Sequence, residues 1–419
     1  MRPSGVTSSL GESSHASPDR RSRLLFLSPV VPAPLDRGQN VRIHNLVLGL
    51  ARQFRVTLVV PDGPELDTES VLWDEVDELV AVPASAERTS VRDAIRFMVR
   101  HRTVVRRGVV SWLQPWRTTL DTLPMGEYSA IWVERLGLAR LVNDVAGRVV
   151  VDLDDLEHRK WWRELRLQAR VGMSRALLHR LYYAVRFFVH EVVLARRFGI
   201  CAVASASDVT YLRRWRLGNS ALLPNGADVQ DPRSAASSTV PDPHERGRLV
   251  FLGNLAYAPN VDGLSYLQEE IRPALDRLGV QVDITVVGPG DTAALRAEFP
   301  GIDFRGFVPD LASALRDCHV CIVPLRLGGG TKLKVLDAMA TGTPVVTTSV
   351  GAEGLLVAHG VHVLIADSAD DFARSIERVL ADAELSESLS AAAHRLVEKE
   401  YSWRSVQDKA LALVSRVAG

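Results

Sequence analysis

Short apolar runs alternate with longer amphipathic stretches along almost the whole chain. Leu24-Leu25-Phe26-Leu27 reads as a buried strand, residues 28–40 as a loop, and Val41, Leu46, Leu50 and Ala51 as the apolar face of a helix. A second strand follows at 56–60. Strand, helix and strand at this spacing predict a right-handed crossover unit of a parallel sheet. Further strands are predicted at 79–82, 130–133, 149–153 and 201–204, and, after an aperiodic Pro-, Ser-, Asp- and Arg-rich stretch from 228 to 247, at 249–252, 284–287, 302–304, 320–323, 345–346 and 363–365. The aperiodic stretch has linker composition. Two doubly wound α/β domains are therefore expected, with a terminal amphipathic helix from 401 to 417 that either half could claim.

The 419 residues suit two domains, each with its own core. Lys+Arg and Asp+Glu are both 50, which removes any global electrostatic case for nucleic-acid binding. No run reaches the roughly 20 apolar residues that span a bilayer. Residues 1–22 lack an apolar signal-like core and are expected to be a disordered tail, with the chain in the cytoplasm. Cys201, Cys318 and Cys321 fall in apolar, strand-like settings and read as buried thiols. Charge is instead local. Residues 88–117 carry eight arginines against Asp93, and residues 156–197 carry ten Lys/Arg against three Glu, interleaved with Trp161, Trp162, Tyr182, Tyr183, Phe187 and Phe188. Both read as helical insertions that could touch anionic lipid at the inner membrane face or lay a solvated face over an aromatic core.

The densest chemical signal runs from Pro324 to Val346: a strand end, Arg326, Gly328-Gly329-Gly330, Thr331, Lys332 and Lys334 at a helix start, Asp337 within it, then Gly342, Pro344 and a strand. Glycines let the backbone turn with its N–H groups outward, and a helix N-terminus favours anions. With two lysines and an arginine close by, this is a cradle for a phosphate that needs no metal.

The string Leu-Asp-Ala-Met-Ala-Thr-Gly-Thr-Pro-Val-Val (336–346) resembles the donor-binding signature of the group 1, family 4-like retaining glycosyltransferases of GT-B fold. Pro224-Asn225-Gly226-Ala227-Asp228, Phe251-Leu252-Gly253-Asn254, Phe304-Arg305-Gly306-Phe307-Val308, Gly351-Ala352-Glu353-Gly354 and Tyr401-Ser402-Trp403 extend the likeness over nearly the full length. The resemblance implies two Rossmann-like domains facing across a cleft: an acceptor-side domain at 23–224, a nucleotide-sugar domain at 225–400, and a helix at 401–419 returning to the first. It implies a glycosyltransferase acting with retention, without cofactor or metal. Lys334 and Lys332 would stabilise the leaving diphosphate, Gly328, Gly329, Gly330 and Thr331 would supply main-chain contacts with Arg326 adding charge, and Asp337 would hold the ribose. Gly38, Gly253, Asn254, Phe307, Val308 and Glu353 complete the donor-binding set.

Departures accompany the likeness. Gly329 stands where the family has the first of two acids eight residues apart, and Asn254 with Ala258-Pro259-Asn260 replaces a basic pair. Where many members carry a histidine after the fifth strand, this chain has Asp152, Asp154 and Asp155, with His158 beyond, and Asp154 is the candidate for the catalytic set. Asp152-Leu153-Asp154 at a strand end fits hydroxyl binding at a cleft at least as well as a metal. A nucleotide-sugar epimerase of the same fold, needing paired carboxylates, and an inactive nucleotide-sugar-binding scaffold are the alternatives. The donor base, the sugar and the acceptor, whether saccharide, lipid-linked or natural product, are not written in these motifs.

Overall fold

The computed structural model describes residues 21–35, 38–67, 69–84, 107–169, 175–229, 245–328 and 332–419. A first sheet consists of β1 (Arg23–Leu27), β2 (Arg55–Pro61), β3 (Glu78–Val82), β4 (Tyr128–Glu134), β5 (Val149–Asp154), β6 (Ile200–Val203) and β7 (Ser220–Leu222), in the order β3-β2-β1-β4-β5-β6-β7. A second consists of β8 (Gly247–Leu252), β9 (Val282–Val287), β10 (Ile302–Gly306), β11 (Val320–Val323), β12 (Val345–Thr347) and β13 (Leu364–Ile365), in the order β10-β9-β8-β11-β12-β13. All pairings are parallel. Helices cover both faces of a parallel sheet, which explains why β1 is an unbroken apolar run with Leu24 to Leu27 fully buried. The chain thus has the two-domain GT-B architecture.

Two boundaries differ from the hydrophobic pattern. The first helix spans Gly38–Ala51, so Gly38 opens the helix instead of sitting inside a loop. The helix expected near 331 spans Leu333–Ala340, and Gly342 behind it adopts φ +77, a left-handed helix end. β7 is too short and too mixed to register as an apolar run. The basic segment 88–117 contributes the helix Arg107–Asp121, its residues 88–106 lying outside the described ones. The segment 156–197 contributes the helices Glu157–Ala169 and Arg175–Phe188, where Trp161 stacks on Tyr183 at 5.1 Å while Tyr182 and Trp162 stay exposed. Cys201 and Cys321 are buried, Cys318 half-buried, and all three are unpaired thiols.

The domains are joined by two strands of chain lying side by side. The Ala227 N–H donates to the Tyr401 carbonyl at 2.8 Å, and a Cβ on Gly226 would lie 2.3 Å from the Trp403 ring, so the crossing requires glycine there. The final helix, Trp403–Ala418, then packs Val406, Ala410 and Val414 onto Ile43, Val47 and Leu50 of the first domain. Ser402 caps it by accepting the Ser405 N–H at 3.2 Å.

The crossing is tied to the first sheet by a buried guanidinium. Arg42 Nε donates to Asp152 Oδ2 at 2.9 Å, Nη2 to the Leu223 carbonyl at 2.9 Å, and Nη1 to the Pro224 carbonyl at 3.0 Å and Asn225 Oδ1 at 2.8 Å. Asp152 Oδ1 accepts the Asp154 N–H at 2.9 Å. Arg42 and Asp152 expose 1% and 0% of their side chains. Removing one member of such a pair leaves the other charged and dry. Asp152→Ala is therefore expected to cost about 3–5 kcal/mol, read from urea unfolding at neutral pH. A loss of less than about 1 kcal/mol, the value of a surface pair, would show that Arg42 holds the crossing without its acid.

Candidate functional site

In an open parallel sheet, the crevice lies beyond the carboxyl ends of the strands, where the strand order reverses. In the second sheet that point is between β8 and β11. The chain emerging from β8, β9, β10 and β11 surrounds a cavity of about 570 Å³, closed on one side by the helix Leu333–Ala340 and on the other by Gly38 of the first domain. Main-chain glycines make the close approach: a Cβ on Gly288, at φ +148, would lie 1.9 Å from the Gly253 carbonyl oxygen. Gly38 itself abuts Leu333, 3.1 Å from where its Cβ would be.

Gly38, Gly253, Asn254, Phe307, Val308, Gly328, Lys332, Lys334 and Asp337 all line this one cavity. Gly329, Gly330 and Thr331 lie outside the described residues. Lys334 Nζ donates to Asn260 Oδ1 at 2.8 Å and sits 4.6 Å from the centre of the Phe251 ring. Asn260 in turn donates to the Asn254 carbonyl at 2.7 Å. Asn260 is the site residue that the motif reading passes over, although it stands where the family's basic pair is missing. Lys332 is buried at the N-cap position of the helix, and its side chain does not cap the first-turn N–H groups. Asp337 is one helical turn deeper, and among the described residues nothing donates a hydrogen bond to its carboxylate. At the mouth Phe307 is 75% exposed, an aromatic face presented to the cavity opening.

Burial sets the charge of this site. It pushes the Lys332 and Lys334 ammonium groups down to about 8, and the Asp337 carboxyl, beside Asp228, up to about 7. Near neutrality the cavity therefore carries two ammonium groups against one partly protonated acid. Titratable groups shifted in this way within a cleft make it a candidate functional site.

Three expected site residues are elsewhere. Arg326 turns away from the cavity to Asp262 at 2.9 Å and Glu270 at 3.1 Å, its guanidinium 4.8 Å above the Tyr266 ring, because those acids project from the neighbouring helices. Glu353 is held by Arg163, which also donates to the Gly328 carbonyl at 2.8 Å; it belongs to the contact between domains and not to the cavity wall. Asp154 does not line the cavity either. It pairs with Arg135 at 2.9 Å and accepts from Asn225 at 3.3 Å. His158 is fully buried between Glu191, at 2.6 Å, and the Tyr211 hydroxyl, at 3.1 Å. Among the described residues no group of three or more His, Cys, Asp or Glu side chains is arranged to hold a metal ion.

Comparison with known proteins agrees with this geometry. The model of the family described as Glycosyl transferases group 1 matches residues 246–382, the part that builds the cavity. A phosphatidyl-myo-inositol mannosyltransferase of Mycolicibacterium smegmatis is 30% identical over 244 residues, which are 55% of this chain and 59% of that protein. The chain thus matches about three fifths of that relative's length. Among solved structures, sucrose-phosphate synthase from Thermosynechococcus elongatus superposes with a TM-score of 0.63 at 18% identity, covering 93% of this chain and 97% of that one. Anabaena HepE in complex with UDP and glucose gives 0.61 at 14% identity, covering 94% and 100%. These likenesses show the fold.

Both lysines are less basic folded than unfolded. Between about pH 8 and 10.5 the unfolded chain thus binds more protons, and the two groups make stability rise with pH across that window. A bound anion needs them protonated, so affinity for inorganic pyrophosphate should fall as the pH passes about 8, and the newly charged Asp337 acts in the same sense. Calorimetric titration of the wild type beside Lys334→Ala cancels the ligand's own ionisation. Equal slopes in the two proteins would remove Lys334 from the anion site.

Proposed function

We propose that this protein transfers a glycosyl group from a nucleoside-diphosphate sugar to a hydroxyl of an acceptor, with retention and without a metal. The observation that supports it most is the convergence of Lys332, Lys334 and Asp337 with the loops after β8, β9, β10 and β11 on one cavity at the sheet's switch point. The diphosphate lies over the start of the helix Leu333–Ala340, between the two ammonium groups. Asp337 accepts from the ribose hydroxyls, and Phe307 stacks on the base.

As the bond between the anomeric carbon and the diphosphate oxygen breaks, negative charge grows on the phosphate. Preorganised cations in a dry cleft stabilise that charge more than the ground state's, which is what lowers the barrier. Asp337 is the only carboxylate lining the cavity among the described residues, so no second acid is poised there as a nucleophile. With retention and no such nucleophile, the acceptor oxygen bonds to the anomeric carbon from the side the diphosphate leaves, and its proton passes to the departing phosphate oxygen. An epimerase would need paired carboxylates at the sugar, which favours transfer.

No helix of the described residues is long and apolar enough to cross a membrane. Leu181, Val185, Val189 and Val193 nevertheless form an exposed stripe at fourfold spacing along and just beyond the helix Arg175–Phe188. Together with the basic residues of 156–197, and with a relative named a phosphatidyl-myo-inositol mannosyltransferase, this supports a cytoplasmic enzyme docked on an anionic membrane face. Binding to phosphatidylglycerol vesicles should weaken at least about tenfold in Val185→Glu/Val189→Glu, measured by co-sedimentation at low salt. Equal binding by the variant would place the contact on another surface.

A screen of nucleoside-diphosphate sugars for thermal stabilisation tests the donor site. The cognate donor at about 100 times its Kd should stabilise the fold by about 2.7 kcal/mol, and Lys334→Ala should abolish most of that shift. With an acceptor supplied, the product's anomeric configuration should match the donor's by NMR, and chelator should leave the rate unchanged. A donor that stabilises both proteins equally would displace the diphosphate from Lys334, and binding without turnover of any acceptor would mark a scaffold.

A further inference from the structure

A second cavity, of about 430 Å³, opens in the first domain. Val30, Leu136, Leu153 and Phe187 form its apolar wall, and Arg135, Arg140, Arg186 and His190 face it from the other elements. Gln39 also lines it, while the preceding residue, Gly38, lines the donor cavity, so the first turn of the helix Gly38–Ala51 contributes to both.

The acids near this cavity are engaged. Glu157 pairs with Lys160 at 3.1 Å, Glu191 accepts from the His158 ring at 2.6 Å and from the Glu157 and His158 N–H groups, and Asp154 holds Arg135 at 2.9 Å. Arg140 and Arg186 are left without an ion pair among the described residues. Arg140 is only 7% exposed, its Nε has no hydrogen-bond partner, and its Nη2 lies 2.6 Å and 2.9 Å from the two ring nitrogens of His190. Burial, with Arg186 nearby, pushes Arg140 down to about 10; burial, with Arg140 and Arg186, pushes His190 down to about 3, so the imidazole is neutral and offers no countercharge. A buried guanidinium without an anion is costly to keep charged. A ligand that supplies the anion removes that cost.

We propose that this cavity takes the acceptor, and that the acceptor is an amphiphile whose phosphoryl group docks on Arg140 and Arg186 with its apolar part against Val30, Leu136 and Phe187. The assignment as acceptor rests on the transferase function proposed above. Two guanidinium forks match the charge and geometry of a phosphate monoester or diester. The shared Gly38–Gln39 turn lets a hydroxyl borne beside that phosphate face the anomeric carbon of the donor. The helix whose residues Arg186 and Phe187 line the cavity also carries the exposed Leu181 and Val185, so an amphiphile could enter from a lipid surface along one element.

Calorimetric titration of the full chain with hexyl phosphate tests this, with hexyl glucoside and inorganic phosphate as separate arms. Hexyl phosphate should bind at least about tenfold more tightly than either. Arg186→Gln, at a half-exposed position without an ion pair, should weaken hexyl phosphate about tenfold or more while leaving nucleotide-sugar stabilisation intact. Arg140→Gln should do the same, with near-UV circular dichroism confirming its fold. Lys334→Ala should keep hexyl phosphate binding and lose donor stabilisation. Equal binding of hexyl glucoside overturns the anion site, equal binding of inorganic phosphate overturns the amphiphile, and loss of hexyl phosphate in Lys334→Ala shows that it enters the donor cavity. If hexyl phosphate binds as described and no nucleotide sugar stabilises the chain, the anion site stands and the donor assignment falls; the converse result sinks this inference alone.

Discussion

The geometry of the cleft depends on where one guanidinium is buried. Arg42 projects from the first helix and satisfies at once the acid at the end of β5 and the carbonyl and amide oxygens of Leu223, Pro224 and Asn225, the residues by which the chain leaves the first domain. Burying a charge of this kind is costly, and the cost is offset only when nearly every N–H finds an acceptor in good geometry. That requirement fixes the crossing relative to the first sheet. Because Gly38 begins the same helix and touches Leu333, it also fixes how closely the first domain approaches the helix Leu333–Ala340.

The second domain solves a different electrostatic problem. Lys334 gives up water for one amide oxygen and an aromatic face, and Lys332 gives it up at the start of a helix. Both become weaker bases and, when protonated, stronger partners for an anion, since little solvent screens them.

The first domain shows the reverse arrangement. Its acids Asp152, Asp154 and Glu191 are each taken by an internal cation, amide or imidazole, so the strand-end carboxylates fasten neighbouring elements. What is left over there is positive. Arg140 and Arg186 stand against an apolar wall, in a cavity that Gln39 lines while Gly38, the residue before it, lines the cavity of the second sheet.

Much of this was legible in the sequence, because apolar runs of four or five residues between amphipathic stretches have few solutions other than a parallel sheet covered by helices. Those runs located the strands of both sheets apart from β7, and the glycine and lysine spacing from Gly328 to Asp337 located the cavity, since local chain geometry alone puts those groups at one helix start. Partner choice was not legible. Whether Arg326 faces an anion or Asp262, whether Glu353 meets a ribose or Arg163, and whether Asp154 is catalytic or bound to Arg135 are decided between residues 19 to 190 positions apart. Those contacts exist only once the sheets are packed and the domains have closed. The chain's periodicity determined its architecture; the tertiary structure decided which charges remain available, because a charge is available only when no nearer partner satisfies it.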